Sequence, residues 1–185
     1  MGLPAPGRAV ATAKPGVQPD MRIPAATYRL QFTAEFGFAQ ARDILSYLCE
    51  LGISDIYASP IFHARPGSTH GYDVVDPNRL NPELGSVEDF ESLVAAARRL
   101  DLGWLQDIVP NHMAYDSRNR MVMDVLENGP ASQYSDFFDI EWNHPYESMK
   151  GKVLAPFLGR FYGECLEDGE ITLLYDARCF NVRYY

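Results

Sequence analysis

The sequence predicts an α/β fold with a parallel sheet, and two observations support this. Three short apolar segments rich in β-branched and aromatic residues, 26–32, 53–58 and 104–109, are typical of strands. The segments between them carry apolar residues at helical spacing, so the order is strand, helix, strand, helix, strand. Each unit spans about thirty residues or more, the length that crossovers between parallel strands require.

The two intervening helices are each marked by an apolar stripe and a terminal signal. The first is predicted over Phe38–Leu51, and Gly52 supplies its C-terminal stop. Its stripe consists of Ala41, Ile44, Leu45, Leu48 and Leu51. The second begins at Ser86, with Asp89 as the partner expected in a capping box. Its stripe consists of Val87, Phe90, Leu93, Val94 and Ala97. Residues 59–85, which contain several Pro and Gly residues, are predicted to form a long loop.

The pattern changes after the third strand. A helical piece near 117–127 is followed by alternating segments near 169–174 and 180–185, without a clear helix returning to a fourth strand. This stretch is far longer than an ordinary βα loop of about 2–6 residues, so we interpret it as an inserted subdomain that is incomplete. The predicted organisation is a disordered tail at 1–22, the first βα units of a barrel at 23–110, and the subdomain at 111–185.

Three strands are too few to close an eight-stranded barrel of about 250 residues. The prediction is therefore the N-terminal part of a (β/α)8 TIM barrel, with its first three strands. The alternative is a complete, small open-sheet α/β protein. It is disfavoured because the parallel edges and apolar faces of its sheet would be uncovered.

The composition argues against several function classes. The 185 residues are 46% hydrophobic, and a net charge of −9 disfavours nucleic acid and anionic membranes as partners. Three cysteines without a Cys-x-x-Cys pair indicate neither a disulfide framework nor a zinc knuckle, and a cytoplasmic location fits them best. No stretch approaches the roughly 18 apolar residues of a membrane span.

Two motifs predict a sugar-binding site. In the run Asp107-Ile-Val-Pro-Asn111-His112, a carboxylate follows an apolar strand and an Asn-His pair opens the next loop. Active-site groups of parallel barrels sit at such carboxyl ends of strands. The run 68–73 places an imidazole, an aromatic ring and a carboxylate within six residues of a glycine-containing loop.

These motifs also carry a resemblance to a known family. Residues 69–73, residues 80–85 and the Asp107–His112 run resemble the α-amylase family of retaining glycosidases. Three longer runs, 27–32, 59–73 and 151–159, are similar to one branch of it, the maltooligosyl trehalose synthases. The resemblance covers residues 23–185.

The resemblance implies an enzyme that converts the reducing-end α-1,4 linkage of a maltooligosaccharide into an α,α-1,1 linkage, by double displacement between two carboxyl groups. In the family the nucleophile follows strand four and the acid/base follows strand five. No catalytic residue is therefore expected in this chain, and no cofactor is expected. The expected partners are a glucan substrate and an enzyme that releases trehalose from the product.

Five residues are predicted to bind substrate: Arg29, Gln31, His70, Tyr72 and His112. The resemblance implies that His112 donates a hydrogen bond to the sugar in the reactive subsite and that Tyr72 offers it a ring face. On the stacking argument, Tyr72→Phe is expected to be mild. His70 reaches the sugar from the same loop, and Arg29 and Gln31 point to the same rim, with a plain salt bridge as the alternative for Arg29.

Three residues are predicted to support the site from behind: Asp73, Asp107 and Asn111. In many amylases the residue matching Asn111 binds calcium, but no acidic cluster here is committed to a cation, so no metal is expected. His63 and His144 show no partner pattern and are predicted to be surface residues. Three other functions stay open. They are a non-catalytic glucan-binding module, another amylase-type glycosidase, and a metal-dependent hydrolase using His70, Asp73, Asp107 and His112.

Overall fold

A computed structural model describes residues 22–154 and 158–184. They form two compact units; along the chain the first ends at Asn119 and the second begins at Arg120. In chain order the strands are β1 (Thr27–Leu30), β2 (Asp55–Ala58), β3 (Phe62–Ala64), β4 (Val74–Leu80), β5 (Gly103–Gln106), β6 (Ile171–Asp176) and β7 (Cys179–Tyr184). The helices are α1 (Phe38–Asp43), α2 (Leu45–Glu50), α3 (Val87–Arg99), α4 (Arg120–Asn128) and α5 (Tyr162–Glu167).

The first unit is built on a parallel sheet in the order β1-β2-β5. This confirms the predicted parallel pairing of the three apolar segments, although each observed strand is shorter than its segment. Because β5 ends at Gln106 and not at Val109, Asp107 is the first residue beyond the strand. One face of the sheet packs on the helices, with Ile56 and Ala58 fully buried.

The core of the first unit lies between this sheet face and the helices. Its largest fully buried side chains are Phe38, Leu45, Leu48, Ile56 and Leu93. The capping box at the start of α3 forms as predicted, since the Ser86 hydroxyl accepts the Asp89 N–H at 3.1 Å and the Asp89 carboxylate accepts the Ser86 N–H at 2.9 Å. Most residues of the predicted apolar stripes belong to this core, but Leu51 and Val87 do not, since they are 53% and 55% exposed.

The single helix predicted over residues 38–51 is wrong, since it is divided into α1 and α2 at Ile44. Ile44 has φ −98° and ψ −1°, and its N–H binds the carbonyl of Ala41 three residues back. This tight turn interrupts the helix while Leu45 and Leu48 stay buried. An apolar stripe continues across a break of this kind, so the spacing alone does not reveal it.

The loop predicted over residues 59–85 is also wrong in part, because it contains the antiparallel pair β3 and β4. The pairing is irregular: Phe62 faces Leu80, and the next residue, His63, faces Asp76. The bulge leaves Pro77, which has no N–H to donate, outside the regular ladder. The proline and glycine content that predicted a loop therefore marks an irregular hairpin.

The predicted boundaries at 22 and 110 differ from the edges of the first unit. Arg22 lies inside it, because its guanidinium contacts Asp55 and Asp101, each at 3.0 Å. The rest of the predicted disordered tail lies outside the described residues. At the other end, the Ala114 N–H binds the Val74 carbonyl at 2.8 Å and Asp116 pairs with Arg65, which ties residues beyond 110 to β4 and its hairpin.

The second unit contains α4 and α5 and an antiparallel hairpin of β6 and β7. α4 and the two strands coincide with the predicted helical piece and the two alternating segments, whereas α5 was not predicted. Ala177 and Arg178 join the strands with φ of 48° and 69°, the backbone that a two-residue hairpin turn requires. Arg160 contacts both Asp168 and Glu170, so the segment before α5 is tied to the start of β6. In the described part of the chain, no helix is long and apolar enough to cross a membrane.

Candidate functional site

The candidate site lies at the carboxyl ends of the parallel strands. Arg29 of β1, Tyr57 of β2 and Leu105 of β5 are in register, so their side chains point to the same side of the sheet, away from the helices. Gln31 follows β1 and Asp107 follows β5, whose backbone is continued by a bond from the Asp107 N–H to the Ala58 carbonyl at 2.9 Å. The strand ends therefore bring together polar groups that are far apart in the sequence.

Asp107 is the centre of this arrangement. One of its carboxylate oxygens accepts the hydroxyl of Tyr72 at 2.6 Å and the Arg29 guanidinium at 2.9 Å. The Tyr72 hydroxyl, and after it Arg29, hold the pKa of Asp107 below its usual range, against the opposing effect of burial. The carboxyl group is therefore ionised at neutral pH and is not a proton donor there.

Tyr72 is held by the same contacts. Its hydroxyl donates to Asp107 and accepts from Arg29 Nη2 at 3.0 Å, and the bond to Asp107 raises the pKa of the phenol. The ring is half-buried, so part of its face remains available. Since the hydroxyl is fixed at its end, the direction of the ring is determined by the polar groups and not by packing alone.

The sequence left two roles open for Arg29, a salt bridge and a position in the candidate site, and its contacts fit both. It forms the ion pair with Asp107, and it also contacts Gln31 Oε1 at 3.4 Å within the candidate site. Its guanidinium lies 4.6 Å from the centre of the Tyr57 ring, in a cation–π arrangement. With its donors used in this way, Arg29 serves to orient Asp107 and Tyr72.

Tyr57 is a site residue that the sequence reasoning missed. Its ring supports Arg29, and its hydroxyl acts with Tyr72 and Arg29 to lower the pKa of Asp107. Within an apolar strand a tyrosine reads as core, yet 36% of this side chain is exposed. The available signal was its position next to the last residue of the strand, on the face opposite Ile56 and Ala58.

The loop that carries Tyr72 is fastened by its own polar residues. The Ser68 hydroxyl binds the carboxylate of Asp73 and accepts the Gly71 N–H at 3.0 Å. The Tyr72 N–H donates to His70 Nδ1 at 3.0 Å, and the two rings stack with centroids 5.8 Å apart. Asp73 is therefore bonded within its own loop, through the side chain of Ser68.

Gly71 occupies a position that only glycine fits. Its φ is +76°, and a Cβ there would lie 2.9 Å from the carbonyl oxygen of Pro60. The loop is also anchored to β1, since Gln31 Nε2 reaches the Thr69 carbonyl at 3.5 Å. These contacts place His70 and Tyr72 over the end of the sheet.

His112 lies beside the same carboxylate. Together with Asp107 it lines a cavity of about 210 Å³, whose other walls are mostly apolar and include Phe62 and Met113. His112 Nδ1 is 3.0 Å from Asn111 Oδ1. The contact to Asn111 orients the imidazole ring at the wall of the cavity.

The metal-dependent alternative finds no matching geometry in the described residues. His70 and Asp73 are 3.9 Å apart, but Asp73 is bound by Ser68, and Asp107 is bound by Arg29 and Tyr72. In residues 22–154 and 158–184, no three His, Cys, Asp or Glu side chains are grouped so that they could hold a metal ion.

Comparison with known proteins finds several that this chain resembles in sequence and in structure. The family model of the alpha-amylase catalytic domain matches residues 41–167. The chain is 40% identical over 163 residues to a putative maltooligosyl trehalose synthase of Mycobacterium tuberculosis, covering 80% of this chain and 21% of that protein. It is 40% identical over 98 residues to a cyclomaltodextrinase of Geobacillus thermopakistaniensis, covering 53% of this chain and 16% of that protein.

Among solved structures, the maltooligosyltrehalose synthase from Arthrobacter ramosus matches with a TM-score of 0.70 at 39% identity, covering 88% of this chain and 20% of that chain. This chain thus spans about a fifth of the length of the two trehalose-synthase relatives.

Proposed function

This chain belongs to the α-amylase family, whose catalytic domain is a TIM-barrel glycosidase fold, and we propose that it is the sugar-binding N-terminal part of a maltooligosyl trehalose synthase. The reaction would convert the reducing-end α-1,4 linkage of a maltooligosaccharide into an α,α-1,1 linkage. In this proposal β1, β2 and β5 are the first three barrel strands, and the residues after 110 belong to a subdomain inserted behind the third strand.

One observation carries the choice of branch within the family. The identity to a trehalose synthase and to a cyclomaltodextrinase is the same, but the first alignment covers 80% of this chain and the second only 53%. The general alpha-amylase model also matches residues of the second unit, up to 167, so the extent of the alignment decides and not the unit that it reaches. Greater coverage of this chain at equal identity therefore favours the trehalose-forming branch over the cyclomaltodextrinases.

The geometry of the strand ends supports a role in holding one sugar ring. A pyranose has apolar faces, and the half-buried ring of Tyr72 offers a flat surface on which such a face loses contact with water. The bonds from Asp107 and Arg29 to the Tyr72 hydroxyl keep that surface in a single orientation. Fixing the ring in advance reduces the entropy lost when the substrate binds.

The charges of the site suit a reaction in which positive charge develops on the sugar. Asp107 is ionised and 14% exposed, and Arg29 compensates its charge from the side of β1. His112 lines the same cavity as Asp107, where a ring N–H would donate to a sugar hydroxyl. The two carboxyl groups of a retaining mechanism, about 5–5.5 Å apart, are expected after the fourth and fifth barrel strands and are not assigned to this chain.

The proposed reaction can be tested by measuring reducing ends, because a trehalose unit has none. The full-length protein is incubated with maltopentaose, and reducing ends and chain length are followed together. An isomerase removes reducing ends without shortening the chain, whereas a hydrolase of the same family increases reducing ends. A glucan-binding module changes neither quantity, and either of these last two results would refute the proposed reaction.

The product of the proposed reaction also implies a second enzyme that uses it as a substrate. A glucan that ends in trehalose is a substrate for an enzyme that hydrolyses the linkage next to that unit, so a trehalose-releasing hydrolase is the expected functional partner. Adding such a hydrolase to the incubation should release free trehalose, which chromatography separates from glucose and maltose.

A further inference from the structure

The second unit contains a local arrangement that repeats the one around Tyr72. In His70-Gly-Tyr72 and in His144-Pro-Tyr146, the histidine Nδ1 accepts the backbone N–H of the tyrosine, at 3.0 and 3.1 Å. The imidazole and phenol rings then lie side by side, with centroids 5.8 and 5.3 Å apart. In both cases an acidic residue follows the tyrosine in the chain. The histidine at 144, predicted to be without a partner, therefore has one.

This arrangement exposes a donor beside a flat apolar face. Because Nδ1 accepts a bond from an amide, the proton of the neutral imidazole sits on Nε2, which can donate to a ligand. The Tyr146 side chain is 69% exposed, so its ring face is open to a ligand. A donor next to an aromatic face is the combination that recognises one glucose residue, since hydroxyl groups surround its edge and C–H groups cover its faces.

His144 also lines a groove of about 420 Å³. Asp139, Glu141 and Lys152 supply polar groups to the groove, and Met149 is among its apolar walls. The volume lies in the range of about 300–1,000 Å³ found for small-molecule sites, which likewise combine apolar walls with a few polar groups. Carboxylates accept hydrogen bonds from paired sugar hydroxyls, and an ammonium group donates to them.

The walls of the groove are held by backbone hydrogen bonds. The Gly151 N–H binds the Trp142 carbonyl at 2.9 Å, and the Lys152 N–H binds the Met149 carbonyl at 3.2 Å. Met149 in turn donates its N–H to the Tyr146 carbonyl at 2.9 Å. The segment that carries the tyrosine and the segment that closes the groove are therefore one hydrogen-bonded loop.

We propose that this loop, residues 139–154, is a second glucan-binding site that takes one or two glucosyl residues of an α-1,4-linked chain. Tyr146 stacks on a sugar face, His144 donates from Nε2, and Glu141 accepts from hydroxyl groups. The site uses none of the residues around Asp107. The choice of ligand rests on the proposed function, since a glucan is the substrate expected for the protein.

The test is the binding stoichiometry of maltotriose to the full-length protein, measured by titration calorimetry. The wild-type protein should bind two molecules, and Tyr146→Ala should remove or weaken one of these events by about tenfold or more, the factor that corresponds to about 1.4 kcal/mol. Tyr162→Ala is the matched control, because this tyrosine of α5 is 64% exposed in the same unit but has no histidine two residues before it. It should keep both events.

Two further variants separate this site from the first one and from a folding defect. Glu141→Gln keeps the size of the side chain and should weaken the same event as Tyr146→Ala. Tyr72→Ala should affect the other event and leave this one in place. Isomerisation of maltotriose should continue in Tyr146→Ala, because the site lies outside the residues proposed to hold the reacting sugar.

The failures of the two proposals are distinguishable. If the wild-type protein binds a single maltotriose, and both Tyr146→Ala and Glu141→Gln bind it as the wild type does, the second site is refuted while the proposed reaction stands. If two molecules bind and Tyr146→Ala loses one, but reducing ends are not consumed, the second site stands and the proposed reaction is wrong.

Discussion

Removing only the hydroxyl of Tyr72 tests the arrangement at the strand ends most directly. A stacking role alone makes Tyr72→Phe mild, because the ring remains. The structure changes this expectation, since the hydroxyl donates to Asp107 at 2.6 Å and accepts from Arg29 at 3.0 Å. Phenylalanine leaves the ion pair of Asp107 and Arg29 in place but releases the ring from both of them.

The expected size of the effect follows from the kind of bond that is lost. Hydrogen bonds to charged groups contribute about 1.5–3 kcal/mol, and the lower end applies because 35% of the Arg29 side chain and part of the Tyr72 side chain are exposed. About 1.5 kcal/mol corresponds to about a tenfold change in an equilibrium constant. We therefore expect Tyr72→Phe to raise the Michaelis constant several-fold and to lower the free energy of unfolding. Tyr72→Ala should cost about 1–2 kcal/mol more, for the lost ring.

The pH dependence supplies a second measure of the same bond. The pKa of Asp107 is lowered in the folded state, so the stabilisation is full above the unfolded value of about 3.9 and is lost as the pH falls through the folded value. The Tyr72 hydroxyl is the largest cause of the shift. The difference in unfolding free energy between wild type and Tyr72→Phe should therefore be full near pH 7 and shrink below about pH 4.

The assay is steady-state isomerisation of maltopentaose by the full-length protein, with chemical unfolding measured at pH 7 and at pH 3.5. Tyr47→Phe is a control for the loss of a hydroxyl, because this tyrosine of α2 is 60% exposed and lies outside the site. If Tyr72→Phe matches the wild type in Michaelis constant and in unfolding free energy at both pH values, the hydroxyl does not orient the ring, and the argument fails.

Three further predictions concern neighbouring residues. His112→Ala should lower the turnover number by about 10²–10³-fold, the effect of removing one preorganised donor, while the melting temperature stays near that of the wild type; near-normal turnover would exclude the donor role. Tyr57→Leu should weaken substrate binding more than Tyr57→Phe, because only leucine removes the ring beneath the guanidinium; equal Michaelis constants would show that the ring does not matter. Gly71→Ala should destabilise the protein more than Gly67→Ala does. Both glycines have φ +76°, but only Gly71→Ala would place a Cβ 2.9 Å from the Pro60 carbonyl oxygen. Unfolding curves of the two variants measure the effect of that contact, and equal losses of stability would contradict it.

The parts of the fold that depend on neighbouring residues were predictable. The capping box of α3 needs only Ser86 and Asp89, three residues apart, and it forms as the sequence indicates. The hairpin of β3 and β4 was not predictable in the same way, because its pairing skips the residues around Pro77. Local propensity predicts a loop from the proline and glycine residues. The pairing of β3 with β4 depends instead on two strands that come together only in the folded chain.

The candidate site was likewise predictable only in part. The sequence singled out Asp107, Tyr72 and Arg29 from their positions at strand ends and in a glycine-containing loop, but it assigned Asp107 a background role. In the structure Asp107 joins the other two, across 35 and 78 positions of the chain. Tyr57 was missed because a tyrosine in an apolar strand has the same pattern whether it faces the core or the open side of the sheet.

By itself the sequence determined the family, the parallel order of the three strands and the residue types available at their ends, because motifs and periodicity are properties of neighbouring positions. Only the tertiary structure decided which side chains share a hydrogen bond and which histidine acquires an aromatic partner. Such bonds require donor and acceptor to approach within about 3 Å, and the register of the strands and the path of the loops determine that approach.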